Sequence, residues 1–264
     1  MRVLVTNDDG VQAPGLAVLA RHVVQLGHDV LVVAPASDRS GSAAGLGPVH
    51  GGATVTVTRA RLEGLPGIPV YAVDAPPGLC ALSGCAGLFG PVPEVVLSGV
   101  NAGWNTGRGV LHSGTVGAAL TAASAGVPAA AISCGLEPHA RFDTAARVAG
   151  QILAAVRTLP SGIAANLNVP DVDGRDLGEI RLGTLARTGL HSVRLQYVGN
   201  QITVTERIRR EGMAPDTDAD LVLRGHPSLT LLRAGVAPVS DPATAEAFHN
   251  LLSALNREAL LEDA

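Results

Sequence analysis

Short runs of β-branched residues alternate with stretches of helical periodicity along about the first 170 residues. Arg2–Thr6 and Val30–Ala34 are predicted strands. Between them, apolar residues recur every three to four positions, which predicts a helix that begins at Pro14 and ends at Gly27. Alternation of this kind is typical of βαβ units. The expected fold class is therefore α/β, with a Rossmann-like, doubly wound and mainly parallel sheet.

Further elements follow the same pattern. Strands are predicted at Thr54–Thr58, Val70–Val73, Val95–Ser98, Ala129–Ser133 and Ile163–Asn168, and helices at Leu79–Leu88, Val116–Ala125 and Thr144–Leu159. The pattern changes after Pro170. Ser192–Arg209 alternates polar and β-branched residues and predicts a hairpin that turns at Gly199-Asn200.

We interpret residues 1–264 as a single domain with a C-terminal hairpin and helix extension. Its core takes in about residues 1–170 and a later segment at 218–235, and residues 186–212 are a hairpin or an oligomerisation arm. Residues 241–261 are predicted to form an amphipathic helix, because Pro242 follows a capping Asp241.

Composition excludes several classes of protein. Hydrophobic residues make up 47% of the chain and charged residues 16%, which is typical of a globular protein. A formal net charge of -4 argues against binding to duplex nucleic acid, which requires a basic face. The sequence contains no lysine, so it has no Walker A loop.

Three cysteines without CxxC spacing indicate reduced, mostly buried thiols rather than disulfides or a zinc site. The N-terminal apolar run is too short for a signal peptide, and no unbroken apolar stretch is long enough to predict a membrane span. A cytoplasmic protein that does not bind membranes is expected.

Polar clusters follow several predicted strands, at the end of the sheet where ligands bind in doubly wound folds. Asp8-Asp9 follows the first strand, Ser40 lies in the glycine- and serine-rich loop after the second, and Asn101 follows the strand at Val95. Adjacent carboxylates repel one another unless a cation lies between them. Oxygen ligands of these types suit Mg²⁺ or Mn²⁺, so we predict one divalent metal ion at these four residues. The alternative is that Asp8-Asp9 is only a turn with a helix cap.

Ser113-Gly114-Thr115 directly precedes a predicted helix. Two hydroxyls and free backbone amides at a helix N-terminus favour binding of a phosphate, although an ordinary N-cap also explains a Ser or Thr here. A metal ion and an anion site in one cleft indicate phosphoryl chemistry. Water is the expected nucleophile, because no Ser or Cys lies beside a convincing base.

These residues lie in blocks that resemble the SurE (survival protein E) family of 5′/3′-nucleotidases. The matching blocks are TNDDG with APG, VVAP with SG, LSGVNAGWNTG, HSGTVGAA and NLNVP, followed by a similar segment from Asp218 to Leu232. The resemblance implies a dimeric or tetrameric enzyme that releases phosphate from nucleoside monophosphates with a divalent metal. It implies metal binding by Asp8, Asp9, Ser40 and Asn101, and places Asn105, Ser113, Gly114 and Thr115 around the phosphate. Asp8, Asp9 and Asn105 are the predicted catalytic residues.

The sequence departs from the family at three places. Leu79 stands where an acid is usual, His112 stands where a Tyr is usual, and the segment after NLNVP is shortened. His112 is a candidate for a substrate contact or a structural role. Trp104 is a candidate for stacking on a base or for anchoring its loop.

Other functions fit less well. A haloacid-dehalogenase-type phosphatase needs two aspartates that are two residues apart, and a dinucleotide-binding fold needs GxGxxG after the first strand. Two alternatives stay open: a phosphatase dedicated to another phosphorylated metabolite, and a catalytically degenerate homologue that binds nucleotides.

Overall fold

A computed structural model of the chain describes residues 1–49, 51–136, 138, 140–235 and 246. Residues 1–234 form one compact unit, and the helix predicted at 241–261 lies outside the described residues apart from Glu246. The strands are β1 (Arg2–Thr6), β2 (Asp29–Pro35), β3 (Val57–Arg59), β4 (Val70–Val73), β5 (Val95–Ala102), β6 (Ala129–Cys134), β7 (Ile163–Asn168), β8 (Arg181–Leu182), β9 (His191–Val198), β10 (Gln201–Ile208) and β11 (Ser228–Arg233). The helices are α1 (Pro14–Gln25), α2 (Pro77–Cys85), α3 (Gly114–Ser124), α4 (Phe142–Arg157) and α5 (Asp218–Leu223), with a 3-10 helix at Gly107–His112.

Nine strands form one sheet in the order β3-β4-β2-β1-β5-β6-β7-β11-β8. The strands from β4 to β7 are parallel, whereas β3 and β11 pair antiparallel with their neighbours β4 and β7. The chain first builds outward from β1 through β2 to β4, and then returns to the other side of β1 with β5. The strand order therefore reverses between β1 and β5, which is where doubly wound folds bind their ligands.

Helices cover both faces of the sheet and divide the core in two. One cluster of buried side chains includes residues from α1 and α4, and the other includes residues from α2 and α3. Small residues along α3 allow the helix to lie close to its neighbours. At Gly117, an added Cβ would overlap the backbone of Ala43. The expected α/β, doubly wound and mainly parallel sheet is confirmed.

Most predicted elements agree with the structure to within two or three residues, but the strand predicted at Thr54–Thr58 is shifted. The observed strand is Val57–Arg59, an exposed edge strand whose pairing with β4 sets its position more than its own residues do. Leu79, which stands at an unusual position for the family, lies in α2 and packs against the second core cluster.

The three cysteines are buried and none of them forms a disulfide, as predicted. Burial raises the pKa of the Cys80 thiol to about 12 and that of Cys85 to about 11, so both stay protonated near neutral pH. Within the described part of the chain, no helix has the length and apolar character needed to cross a membrane. The cytoplasmic location stays a prediction.

Leu97 lies in the middle of β5 and is 0% exposed, so we expect Leu97→Ala to lower the free energy of unfolding by about 2–5 kcal/mol. The loss combines reduced apolar burial with a cavity that the sheet cannot close. Urea unfolding monitored by circular dichroism measures it. Leu182→Ala is the matched control, since Leu182 is 71% exposed on β8. Equal losses in the two variants would contradict this assignment of the core.

Candidate active site

A cleft of about 390 Å³ opens at the carboxyl ends of β1 and β5, and we call it the central cleft. It contains eight of the residues predicted to form the site, drawn from four separate segments of the chain. They are Asp8, Asp9, Ser40, Asn101, Trp104, Asn105, His112 and Ser113. The topology therefore brings together residues that span more than one hundred positions of sequence. The functional roles assigned to them stay predictions.

Asp8 is the most deeply buried acid of the central cleft, with an exposed fraction of 3%. Burial raises the pKa of its carboxyl group, because the charged form loses its hydration, and the nearby charge of Asp38 adds to the rise. The Thr115 hydroxyl donates a hydrogen bond to Asp8 Oδ1, which lowers the pKa and partly offsets the effect of burial. The net pKa is above the ordinary value of an aspartic acid. Ionised Asp8 is thus costly unless a positive charge lies beside it.

Gly114 and Thr115 lie beneath the cleft rather than on its surface. An added Cβ at Gly114 would lie 2.6 Å from Asp8 Cβ, so only glycine permits α3 to approach the end of β1 this closely. Thr115 is 0% exposed, and both its hydroxyl and its backbone bond with the Asp8 carboxylate. In this arrangement the two residues support Asp8. Their predicted contact with a phosphate stays a prediction.

Ser40 reaches the cleft from the loop after β2. Its backbone N–H and its Oγ–H donate to Asp38 Oδ1 over 2.8 and 2.6 Å, which leaves the lone pairs of Oγ available to a cation. The neighbouring Arg39 N–H donates to the Asp8 carbonyl over 2.7 Å and ties this loop to the end of β1. Sequence analysis missed Asp38, although its place two residues before Ser40 allows an Asx-type turn.

Asn101 lies near the end of β5, and its Nδ2 donates to the Gly103 carbonyl over 2.7 Å. Its Oδ1 is therefore the atom available to a ligand. The central cleft thus offers carboxylate, hydroxyl and amide oxygens, which match the preferences of Mg²⁺ or Mn²⁺.

The donors also fit a cation on electrostatic grounds. No arginine among the described residues forms an ion pair with Asp8, so its buried charge has no positive side chain beside it. Among the described residues, those of the central cleft included, no group of three or more His, Cys, Asp or Glu side chains is placed to hold a metal. A cation here would depend on the mixed set of two carboxylates with Ser40 and Asn101.

Asn105 is held rigidly by polar residues at the ends of β6 and β7. Its backbone N–H donates to Asn168 Oδ1 over 2.8 Å, and its carbonyl accepts from Asn166 and Asn168 over 2.9 Å each. Its Nδ2 donates to Ser133 Oγ over 2.9 Å, so one amide hydrogen is left for a ligand. Sequence analysis singled out Asn105 but not the three side chains that position it.

Ser113 is the N-cap of α3 and also lines the central cleft, while its contact with a phosphate stays a prediction. Its Oγ accepts a hydrogen bond from the Val116 N–H over 3.1 Å and caps α3, and the residue also lines the central cleft. Since Oγ acts as an acceptor in the cap, its hydrogen can be donated into the cleft. The N-terminus of α3, where the helix dipole favours anions, is directed towards the same region.

Trp104 and His112 lie on the wall of the central cleft. The indole Nε1 donates to the Val169 carbonyl over 2.7 Å, so Trp104 anchors its loop while part of the ring stays exposed. His112 is exposed at the end of the 3-10 helix.

His191 and Leu136 also line the cleft and were not predicted. The His191 ring lies 6.1 Å from that of Trp104. The segment that carries His191 is held there by a residue distant in sequence. The N–H of the preceding residue, Leu190, donates to Thr106 Oγ1 over 2.9 Å. No local motif signals this contact.

Comparison with known proteins identifies the group to which these features belong. The profile of the family described as "Survival protein SurE" matches residues 3–192. A protein named 5′-nucleotidase SurE from Xanthomonas campestris pv. campestris is 39% identical over 181 residues, or 67% of this chain and 66% of its own length. One of the same name from Desulfatibacillum aliphaticivorans is 40% identical over 186 residues, covering 69% and 70%. The chain thus spans about two thirds of the length of these relatives.

The fold has a solved counterpart. The crystal structure of the SurE protein from Aquifex aeolicus superposes with a TM-score of 0.79 at 24% identity, and the match covers 94% of this chain and 100% of that one. At this identity the likeness concerns the fold alone.

Thr115→Val removes the hydroxyl that donates to Asp8 while keeping the shape of the side chain. The pKa of Asp8 should rise further, because a hydrogen bond that favours the charged form is lost. We expect Mn²⁺ affinity to fall by about tenfold to a hundredfold, because this is the range that corresponds to the free energy of one hydrogen bond to a charged group. The deficit should grow as the pH falls, since protons compete better for Asp8. Calorimetric titration with Mn²⁺ between pH 5.5 and 8 measures both effects.

Thr115→Ser is the matched control, because it keeps the hydroxyl and should bind Mn²⁺ within about threefold of the wild type. Wild-type affinity in Thr115→Val would show that this hydrogen bond does not prepare Asp8 for a cation.

Proposed function

The chain belongs to the SurE family, and we propose that it is a divalent-metal-dependent phosphomonoesterase that hydrolyses nucleoside 5′(3′)-monophosphates to nucleoside and phosphate. The observation that carries the proposal is the buried Asp8 carboxylate, which shares one cleft with Asp9, Ser40 and Asn101 at the N-terminus of α3. The name 5′-nucleotidase carried by the relatives supports the reaction class.

In this proposal Asp8, Asp9, Ser40 and Asn101 hold one Mg²⁺ or Mn²⁺ ion. When bound, such an ion polarises a phosphoryl oxygen and lowers the pKa of water. The carboxylates of Asp8 and Asp9 supply the two negative charges that retain the cation. Burial of Asp8 strengthens this attraction, because little solvent screens it.

In this proposal Asn105 and Ser113, which line the same cleft as the carboxylates, orient the phosphate. The hydrogen bonds to Ser133, Asn166 and Asn168 fix Asn105, so its remaining amide hydrogen can be donated to a phosphoryl oxygen without a loss of side-chain freedom. Ser113 donates its hydroxyl hydrogen from the cap of α3, where the helix dipole favours the developing negative charge.

We assign the attack on phosphorus to water. Ser113 caps α3, the Ser40 hydroxyl donates to Asp38, and none of the described residues lining the central cleft is a cysteine. The leaving nucleoside would lie towards Trp104 and His112, which line the same cleft as Asn105 and Ser113. An aromatic face at that position suits a nucleobase.

Phosphate release from nucleoside 5′- and 3′-monophosphates and from sugar phosphates, each with Mg²⁺, Mn²⁺ or EDTA, tests this function. We expect turnover of nucleoside monophosphates with metal and none with EDTA. Asp9→Asn should lower kcat/KM at least about a thousandfold, because it removes one of the two charges that retain the cation. The fold should be unaffected, as measured by circular dichroism.

Asp176→Asn is the control, since Asp176 is an exposed acid that lies outside the central cleft. Turnover confined to a non-nucleotide phosphate would favour a phosphatase dedicated to another metabolite. Nucleotide binding without turnover of any substrate would favour the degenerate homologue, and full activity in EDTA would defeat the metal assignment.

We further propose that β9 and β10 form an oligomerisation arm that pairs with a second copy of the chain. The two strands form a separate two-stranded sheet with cross-strand pairs Leu195–Val204 and Tyr197–Ile202. All four side chains are more than 60% exposed and lie on one face. An apolar face of this kind needs a partner, and the family resemblance implies a dimer or tetramer.

Leu195→Glu should reduce the number of copies in the assembly, because it places a charge in the centre of the apolar face. Sedimentation velocity at micromolar concentration measures the change. Arg194→Glu on the opposite face of β9 is the control and should leave the mass unchanged. A monomeric wild type, or a Leu195→Glu variant with the mass of the wild type, would refute the arm.

A further inference from the structure

A second cleft of about 400 Å³ opens beside the central cleft, and we call it the side cleft. The two share Gly109, His112 and His191, so a molecule bound in the central cleft can extend into the side cleft without leaving the protein surface. The remaining lining residues are Arg108, Arg187, Thr188, Gly189, Ser192 and Val193.

The two clefts have opposite charge. The central cleft is lined by Asp8 and Asp9, whereas the described lining of the side cleft has no acid and includes Arg108 and Arg187. No carboxylate among the described residues forms an ion pair with either arginine. Both arginines are exposed and carry a fixed positive charge, which is available to a ligand.

The buried carboxylate of Asp218 fixes the backbone immediately before each arginine in the sequence. Asp218 is 0% exposed, and its Oδ2 accepts from the Gly107 N–H over 2.7 Å while its Oδ1 accepts from the Ala186 N–H over 2.9 Å. Gly107 directly precedes Arg108, and Ala186 directly precedes Arg187. Asp218 therefore holds the two segments in one arrangement. On each segment, the residue that follows the bonded N–H group is an arginine.

Close packing of the same two segments supports this arrangement. An added Cβ at Gly107 would lie 2.6 Å from the Gly189 nitrogen, and Gly107 has a φ of +59°, a conformation that favours glycine. The Thr106 hydroxyl accepts from the Leu190 N–H over 2.9 Å. The side cleft is thus built on fixed backbone and is not an accidental meeting of two mobile loops.

We infer that the side cleft binds a second anionic group of the substrate, so that the chain favours bisphosphorylated nucleosides over monophosphates. This inference rests on the proposed function, because the first phosphate must occupy the central cleft. Guanidinium groups bind phosphate through paired N–H donors, and two of them flanking one cleft match a phosphate carried elsewhere on the same ribose. The carboxylates of the central cleft keep the cation there, and the arginines place the second phosphate outside it.

Calorimetric binding of adenosine 5′-monophosphate and of adenosine 3′,5′-bisphosphate, at equal ionic strength, tests the inference. We expect the wild type to bind the bisphosphate at least about fivefold more tightly, and Arg108→Gln and Arg187→Gln each to reduce this preference about two- to fivefold, the range for exposed charge pairs. The preference should shrink between 50 and 500 mM NaCl, because salt screens exposed charges. Affinity for the monophosphate should change little in either variant.

Arg175→Gln is the matched control, since Arg175 is exposed and lines neither cleft. Equal affinity of the wild type for the two ligands, or a preference that both arginine variants retain, would overturn the side cleft as an anion site. Phosphate release from the monophosphate reports separately on the proposed function. Turnover without a preference defeats the side cleft alone, and a preference without turnover defeats the catalytic proposal alone.

Discussion

The burial of one carboxylate at the end of the first strand is the constraint on which the site depends. Asp8 is almost inaccessible to solvent, and the pKa of its carboxyl group is raised because the charged form loses hydration. A structure arranged for stability alone would place an apolar residue there. Instead the Thr115 hydroxyl supports the charged form, and Gly114 allows a helix N-terminus to approach it. The fold accepts a local cost that a bound cation would offset.

The surroundings of Asp8 follow from this constraint. The α3 helix can come close to the sheet only because it is built from small residues, and the nearly aromatic-free core is filled by Val, Leu and Ala. The buried side chains of Asn166 and Asn168 hydrogen-bond with Asn105 instead of filling the core. Buried amides of this kind are stable only when paired, so they fix Asn105 in one position.

Sequence patterns predicted the sheet and the ends of its central strands well, because these features depend on local alternation and on the parallel topology. Asp8, Ser40 and Asn101 could be assigned to one cleft for that reason. His191 and Asp218 could not, because each reaches the site through contacts more than eighty residues away in sequence. The edge strand near Val57 was misplaced, since its position is set by pairing with β4.

The difference between what could and could not be predicted coincides with the difference between the two proposed roles, catalysis in the central cleft and anion binding in the side cleft. The groups proposed to bind metal and phosphate lie at or after the ends of strands that are neighbours in the parallel sheet, so the topology alone brings them together. The residues of the side cleft depend instead on Asp218, a single acid at the start of α5 that receives hydrogen bonds from two distant loops. Changes in those loops can therefore alter the side cleft without moving the carboxylates of the central cleft. If both proposals hold, the sheet constrains the chemistry of the site, while its choice of substrate depends on segments that the sheet does not fix.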